Sequence, residues 1–420
     1  MSTESEGLKR RGDPGGRPRG VADNKQLPIK VCIHVLRAAR ADVRAIRSAT
    51  ALLEAGFAVS IIDVESERSR PVEEDYYGIH IKHIVIPGWR TSRRFELWFF
   101  IKAVQAFLRS LLWLLETRAD IYQANEATAL PASYIAARLR RKPLIFEAYE
   151  LPPAETSIAF WHHLHGLLTR FLAWVLPRCA GVIAVSPPIA HEIRRCYHSP
   201  EVTLIRNVPP YRTVSKKDLL RQHLGLSPDT RLALYQGGLQ PNRGLDRLIR
   251  AAPFLAPDIV IVLMGEGMGT TQSELEALIA REGVAGRVKI LLPVPYEELL
   301  DWTASADIGL NVLPPEYSLS IRWCLPNKLF EYLMAGLPVL TSQLDAVVEV
   351  IKTYNVGRIV SPLAPEDVAA AINTMLADRN TLTHMHHNAL KAAQDCCWEK
   401  DGQQLIRLYQ KILLGSGTPA

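Results

Sequence analysis

The sequence predicts an α/β protein with two parallel-sheet domains. Short apolar runs alternate with amphipathic stretches from residue 31 to 205, and the same alternation resumes at residue 232. A polar stretch opened by Pro209 and Pro210 and running to Lys217 reads as the linker. Such alternation builds βαβ units, and 420 residues is long for a single core. Ligands of parallel sheets bind beyond the carboxyl ends of the strands, so chemistry is expected in a cleft between facing domains. The expected division is a tail over 1–25, a first domain over 26–210, a second over 211–395, and a last helix in 396–420 that returns to brace the first.

The tail carries Lys9, Arg10, Arg11, Arg17 and Arg19 among glycines and prolines, with little apolar to bury, and is expected to be disordered. It supplies much of the net charge of +6 and reads as a solvated segment, so no nucleic-acid partner is expected. It lacks the apolar core of a secretory signal. Cys32, Cys179, Cys196, Cys324, Cys396 and Cys397 show no C-x-x-C spacing, which disfavours a disulfide framework or a zinc site and favours a reducing, cytoplasmic compartment.

Val31–Val35 is the first strand candidate, Asp42 caps a helix over Val43–Ala55, and Phe57–Val64 is the second strand. The turn between, LRAARAD, lacks the G-x-G-x-x-G of a dinucleotide fold. Ile79–Ile86 is a strand and Phe95–Glu116 a helix, expected to be mostly core. Its aromatic, partly basic face also makes peripheral contact with a membrane surface, at the inner face of the cell membrane, a secondary expectation. Glu96, Lys102, Gln105 and Arg109 interrupt it as a spanning segment. Strands at Asp120–Gln123, Pro143–Phe146, Val182–Val185 and Val202–Ile205 alternate with helices at Leu130–Arg140, Thr156–Leu176 and Pro188–Cys196. In the second series the strands are Leu232–Tyr235, Ile259–Met264, Val288–Leu291, Ile308–Val312, Leu337–Leu340 and Gly357–Val360. Helices are expected at Leu245–Ala252, Gln272–Glu282, Tyr296–Ser305, Pro326–Ala335, Pro365–Ala377 and Trp398–Leu414. His162, His163 and His165 share no third ligand nearby and are not read as a metal site.

Three loops at strand ends of the second half carry chemistry. In Tyr235–Gly244, Gly237 and Gly238 let backbone approach a ligand, and Arg243 adds a forked cation suited to phosphate. Met264-Gly-Glu266-Gly is a tight turn with one carboxylate. In LPNKLFEYLMAGLPVLT, from Leu325 to Thr341, Lys328 and Glu331 share a face near a helix start. Taken alone that spacing reads as an exposed i,i+3 ion pair. Beside the other loops it reads as cations for a diphosphate and a carboxylate for two ribose hydroxyls, which is the pattern a nucleotide-diphosphate sugar requires.

The set YQGGLQPNRGL, LMGEG, LPVPYEELL and LPNKLFEYLMAGLPVL resembles the retaining glycosyltransferases of the two-domain GT-B fold, group 1 (glycosyltransferase family 4). DVRAIRSATALLEAGFAV, ADIYQANEATALPASYIAARL, LIFEAYEL and VIAVSPPIAHEI extend the resemblance through the first half, so it covers residues 29 to about 412. It implies two Rossmann-like domains and transfer from a UDP- or GDP-sugar to a hydroxyl acceptor, with no permanently bound cofactor and no metal. It also implies that Gly237, Gly238, Arg243, Glu266, Lys328, Leu329 and Glu331 bind the donor, with Pro293–Tyr296 near the base.

Four departures accompany it. Trp323 stands where the family pattern has a sugar-contacting glutamate, and Gly238 where its first donor loop has an arginine. Glu147-Ala-Tyr149-Glu150 replaces a D-x-H-E, and Asn125-Glu126 a His-Asp. Tyr149, Asn125 and Glu150 are therefore the acceptor-side candidates, with Tyr149 orienting the donor sugar and not acting as an imidazole does. A sugar-nucleotide epimerase of the same fold, and a binding protein without turnover, are the alternatives.

Overall fold

The computed structural model describes residues 27–415, except 68, 90–95, 154–158, 200, 216 and 268. The tail over 1–25 lies outside the described residues, as do the side chains of His162 and His163.

The first half begins with β1 (Lys30–His34), α1 (Val43–Glu54) and β2 (Ala58–Glu65). The Asp42 carboxylate accepts from the Ala45 N–H and so caps α1 as its sequence requires. Next come β3 (Glu73–Tyr76), β4 (Ile79–Val85), α2 (Glu96–Thr117), β5 (Ile121–Asn125) and α3 (Glu126–Arg140). Then β6 (Leu144–Ala148), α4 (Ala159–Val175), β7 (Gly181–Ala184), α5 (Pro187–Tyr197) and β8 (Val202–Leu204) complete it. The sheet order is β3-β4-β2-β1-β5-β6-β7-β8, parallel except for β3 against β4. The sequence reading did not contain β3, whose Glu-Glu-Asp-Tyr gives no apolar alternation because it is an edge strand.

The second half runs through α6 (Leu219–Leu224), β9 (Arg231–Gln236), α7 (Leu245–Ala251), β10 (Ile259–Met264), α8 (Thr271–Arg281) and β11 (Val288–Leu291). It continues with α9 (Leu299–Thr303), β12 (Ile308–Asn311), α10 (Leu319–Trp323), α11 (Asn327–Met334) and β13 (Val339–Thr341). The chain ends with α12 (Asp345–Tyr354), β14 (Gly357–Ile359), α13 (Pro365–Ala377), α14 (Arg379–Asp395) and α15 (Trp398–Gly415). Its parallel sheet has the order β11-β10-β9-β12-β13-β14. Helices α6, α10, α12 and α14 were not in the sequence reading. In α12 the run Val-Val-Glu-Val-Ile has strand propensity, and only packing of Ala346, Val347 and Ile351 into the core decides for helix.

Each sheet is covered on both faces, as parallel sheets require. On the first, Ala45, Ala49 and Leu52 of α1 join Leu405, Leu408, Tyr409 and Ile412 of α15 in one cluster. Helices α2 to α5 cover the other face. Thus α15 crosses back to the first sheet. The chain leaving β8 and the returning segment are clamped together, with Arg206 Nη2 2.6 Å from Asp401 Oδ1 and the Trp398 N–H donating to Pro209 O at 3.0 Å.

One expectation is corrected here. Helix α2 is not mostly core: Ala106, Ser110 and Leu114 are buried, but Trp98 is 61% exposed, Leu108 51% and Leu112 59%. Its apolar residues exceed what one packing stripe can cover, and no other described element lies over the remainder. Trp98–Thr117 is long and apolar enough to cross a membrane by length and composition, the one such helix among the described residues.

Candidate active site

The strand-end loops of the second half meet at the carboxyl ends of β9, β10 and β12. Gly237 adopts φ +117°, and its N–H donates to Met264 O at 3.0 Å. A Cβ at Gly265 would stand 2.0 Å from Gly237 O, so these two loops approach as only glycine permits. The Leu239 N–H donates to Glu266 O at 2.9 Å, tying them again. Glu266 contributes that carbonyl, while its side chain is exposed. Gly238 is open, since a Cβ there would meet only the flexible Gln240 side chain at 3.4 Å. Arg243 Nη2 donates to Gln240 Oε1 at 3.1 Å.

Helix α11 brings Lys328 and Glu331 to these loops, both half-buried. They are not the exposed i,i+3 ion pair that their spacing alone suggests. The Lys328 ammonium lies 3.5 Å from the Tyr235 ring centroid and against Gly237, where a Cβ would be 3.6 Å from Nζ. Glu331 Oε2 accepts from Gln236 Nε2 at 2.6 Å, and Gln236 Oε1 in turn accepts from the Thr303 hydroxyl at 2.7 Å. Burial, and then the neighbouring Arg243, pull the Lys328 pKa well below that of a free lysine. Burial raises that of Glu331, opposed by the Gln236 bond and by Lys328 and Arg47. Leu329 does not present its side chain to this site: one residue on from Lys328 it is turned into the core, and its N–H is bonded to Pro326 O.

Tyr332 holds α11 against the sheet. Its hydroxyl bonds Leu234 O at 3.0 Å and accepts from the Gln236 N–H at 3.0 Å. Its ring lies where a Cβ on Gly309 would come within 2.5 Å. The helix start is thereby fixed relative to the glycine loops.

Across the cleft, Asn125 Nδ2 donates to the Tyr149 hydroxyl at 2.7 Å, and that hydroxyl donates to Asp42 Oδ2 at 3.2 Å. Gln123 Nε2 bridges Asn125 Oδ1 at 2.8 Å and Glu147 Oε2 at 2.7 Å, and Glu147 pairs with buried Arg44. Tyr409 of α15 closes the network on Gln123 Oε1. Burial, then Asp42 and Glu147, push the Tyr149 pKa well above that of a free tyrosine, so the phenol stays protonated and cannot serve as a base near neutral pH. Of the acceptor-side candidates the structure joins Tyr149 and Asn125, while Glu150 is exposed beside them. Glu126, at φ +69°, pairs with Arg37 next to this network.

Sequence reading missed Arg47. Its Nη1 donates to Val208 O at 2.6 Å and Asn207 Oδ1 at 3.0 Å, and its Nη2 reaches the Tyr296 hydroxyl of the second half at 3.2 Å. The signal was present: Arg44 and Arg47 are three apart on one helix, two arginines on a face that an α1 packed only on a sheet would keep apolar. Trp323 is the second crossing. It packs beside the first-half core, its carbonyl accepts from Ser186 Oγ at 2.6 Å, and its indole donates to Asp345 Oδ2 at 3.1 Å.

Asp63, Glu65 and His83 bring three donor atoms within 4.8 Å of one another. Both ring nitrogens of His83 already face carboxylates, Asp63 Oδ1 at 2.8 Å and Glu74 Oε1 at 3.1 Å. Arg40 and Arg70 add cations to the same group, so its negative charge is already opposed.

Two parallel-sheet domains facing across a cleft at their strand carboxyl ends define a GT-B protein. Residues 216–392 match the model for Glycosyl transferases group 1 and residues 41–208 that for Glycosyltransferase Family 4. The chain belongs to the group 1 glycosyltransferases. A D-inositol 3-phosphate glycosyltransferase of Thermobispora bispora is 27% identical over 239 residues, 53% of this chain and 54% of that protein. The chain thus matches about half the length of this curated relative. Among solved structures, sucrose-phosphate synthase from Thermosynechococcus elongatus has a TM-score of 0.73 at 18% identity, covering 92% of this chain and 100% of that one. Anabaena HepE in complex with UDP-glucose has a TM-score of 0.68 at 17% identity, covering 91% and 100%. At these identities the likeness concerns the fold.

Proposed function

We propose that the protein is a retaining glycosyltransferase, moving a hexose-type sugar from a UDP- or GDP-sugar to a hydroxyl of a glycan, a lipid-linked glycan or a small metabolite. The observation that carries this reading is the desolvated pair on α11: Lys328 beside the Gly237 backbone and Arg243, and Glu331 held by Gln236. A lysine disfavoured as a cation, next to a second cation, gains from a diphosphate; a clamped carboxylate suits two vicinal hydroxyls. The UDP-glucose in the HepE complex agrees with a nucleotide-sugar donor.

In this reading the diphosphate lies against Gly237 and Gly238, with Arg243 and Lys328 on its oxygens and Glu331 on the ribose. The bond from C1 to the diphosphate oxygen breaks, and its electron pair stays on the phosphate. The acceptor oxygen bonds C1 on the same face and passes its proton to the leaving phosphate. Tyr149, fixed between Asn125 and Asp42, orients the sugar. No metal and no permanently bound cofactor takes part. The reading places the protein in the cytoplasm, in peripheral contact with the inner face of the cell membrane where a lipid-linked acceptor lies.

Thermal stabilisation by UDP, GDP and their sugars tests the donor, because a ligand that binds only the folded state raises Tm. Lys328→Ala and Glu331→Ala are each expected to weaken donor binding about 10- to 100-fold, as for loss of a hydrogen bond to a charged group. Unchanged affinity in both variants would sink the assignment. Chelator is expected to leave turnover unaltered. The protonated Tyr149 in place of an imidazole favours a second reading, a sugar-nucleotide-binding protein without turnover. Binding with no released UDP or GDP would select it, and isomerised sugar would select an epimerase.

A further inference from the structure

Helix α2 has two unlike sides. Ala106, Ser110 and Leu114 are fully buried against the first sheet, and Ser110 Oγ lies 2.9 Å from His34 Nε2 in the core. Trp98, Ile101, Val104, Leu108 and Leu112 are 61, 48, 41, 51 and 59% exposed. At 100° per residue these five fall within about 120° of arc, opposite the buried three. The stripe is free of cations. Lys102 Nζ turns aside to Pro87 O at 2.8 Å, and Arg109 Nη1 to Val85 O at 3.0 Å. Exposed Gln105 and Glu116 also fall within this arc, and an exposed, mainly apolar face of this length marks an interaction surface.

Charge selects the occupant. Arg118, Arg138 and Arg141 are exposed at the C-terminal end of α2, where Arg140 of α3 donates to Leu115 O. An apolar stripe with exposed arginines at its C-terminal end matches an anionic bilayer, apolar below and phosphate-bearing above. Parallel pairing with a second copy would set these arginines against one another. We propose that α2 lies in the plane of an anionic membrane, with Trp98, Ile101, Val104, Leu108 and Leu112 in the headgroup–acyl boundary and Arg118, Arg138 and Arg141 on lipid phosphates. The helix does not cross the bilayer, because its other side is part of the domain core. This deepens the membrane part of the proposed function and is independent of the donor site.

Flotation of the full chain with phosphatidylcholine vesicles, with and without 30% phosphatidylglycerol (about a third of the lipid, enough for a negative surface), tests it. Binding to the anionic vesicles is expected, falling at least about 10-fold in Leu108→Glu/Leu112→Glu and several-fold in Arg118→Ser/Arg138→Ser/Arg141→Ser. Nucleotide-induced stabilisation is expected unchanged in both variants, which shows that they fold and keeps failure here distinct from failure of the donor reading. Three results overturn the proposal. They are no vesicle binding by the unaltered chain, binding that survives Leu108→Glu/Leu112→Glu (as tail-driven binding would), and a dimer in sedimentation that this variant abolishes without vesicle binding.

Discussion

Lys328 carries its charge in a setting that works against it. Burial and Arg243 both favour the neutral amine, and the Tyr235 ring is the partner that faces it. A diphosphate reverses that balance, so donor binding is expected to take up a proton and to weaken as pH rises through the Lys328 pKa. Calorimetry in buffers of different ionisation enthalpy measures the uptake, and Lys328→Ala should abolish it. Tyr149 makes a different case. Tyr149→Phe removes the hydroxyl between Asn125 and Asp42 without emptying the space. Turnover is expected to fall about 10-fold or more, as when a positioned hydrogen bond of roughly 1.5 kcal/mol is lost, with nucleotide affinity unchanged. A fall in both would move Tyr149 to the donor side. The residues proposed for the donor were legible in the sequence because glycine, lysine and glutamate lie close along the chain in three short stretches at strand ends. The acceptor-side network was only half legible. Asp42, Gln123, Tyr149 and Tyr409 come from four separate stretches of the chain, and Tyr409 is 286 residues from Gln123.

At the scale of elements, His34 joins β1 to α2 and α3. Its Nδ1 lies 3.1 Å from Ala129 O and its Nε2 2.9 Å from Ser110 Oγ, which the neutral ring satisfies by donating to one and accepting from the other. Burial pulls its pKa down to about 4 against a backbone bond that raises it. The unfolded chain takes up this proton at about pH 6.5, and the folded one only near 4. Stability from this group is therefore present above about pH 6.5 and is lost as pH falls to about 4, roughly 3 kcal/mol in all. Denaturant unfolding from pH 7 to 4 should show that slope, and His34→Gln should flatten it by about one proton. An equal slope in the variant would assign the loss elsewhere. The sequence marked Val31–Val35 as a buried strand, and nothing local said which helices its one histidine would bind. The same gap explains α2. Its apolar content was visible, but how much of it the sheet could cover depends on the width of the sheet beneath.

For the whole molecule, two features set the relation of the halves. The chain leaving β8 is pinned to the returning helix through Arg206 and Asp401, and Arg47 crosses the cleft to Tyr296. The Arg47 guanidinium is held by Val208 O and Asn207 Oδ1, so it sits where the chain leaving the first half meets the 293–299 loop. Arg47→Ala is expected to weaken binding of the intact nucleotide sugar about 10-fold, or about 1.4 kcal/mol. It should also lower hydrogen-exchange protection of residues 293–299. No change in either measurement would reduce this contact to incidental closeness.

By itself the sequence determined the two strand–helix series, the Asp42 cap, and the grouping of glycine, lysine and glutamate at the strand ends of the second half. All of these rest on chemistry within a few residues, where backbone periodicity and steric freedom decide. Only the tertiary structure decided that Lys328 and Glu331 are desolvated separately and not paired with each other. It alone decided that Tyr149 is locked as a neutral phenol and that α15 returns to the first sheet. It also decided that α2 keeps an apolar face uncovered. Those outcomes depend on which surfaces exclude water, and water is excluded by residues far away in the chain.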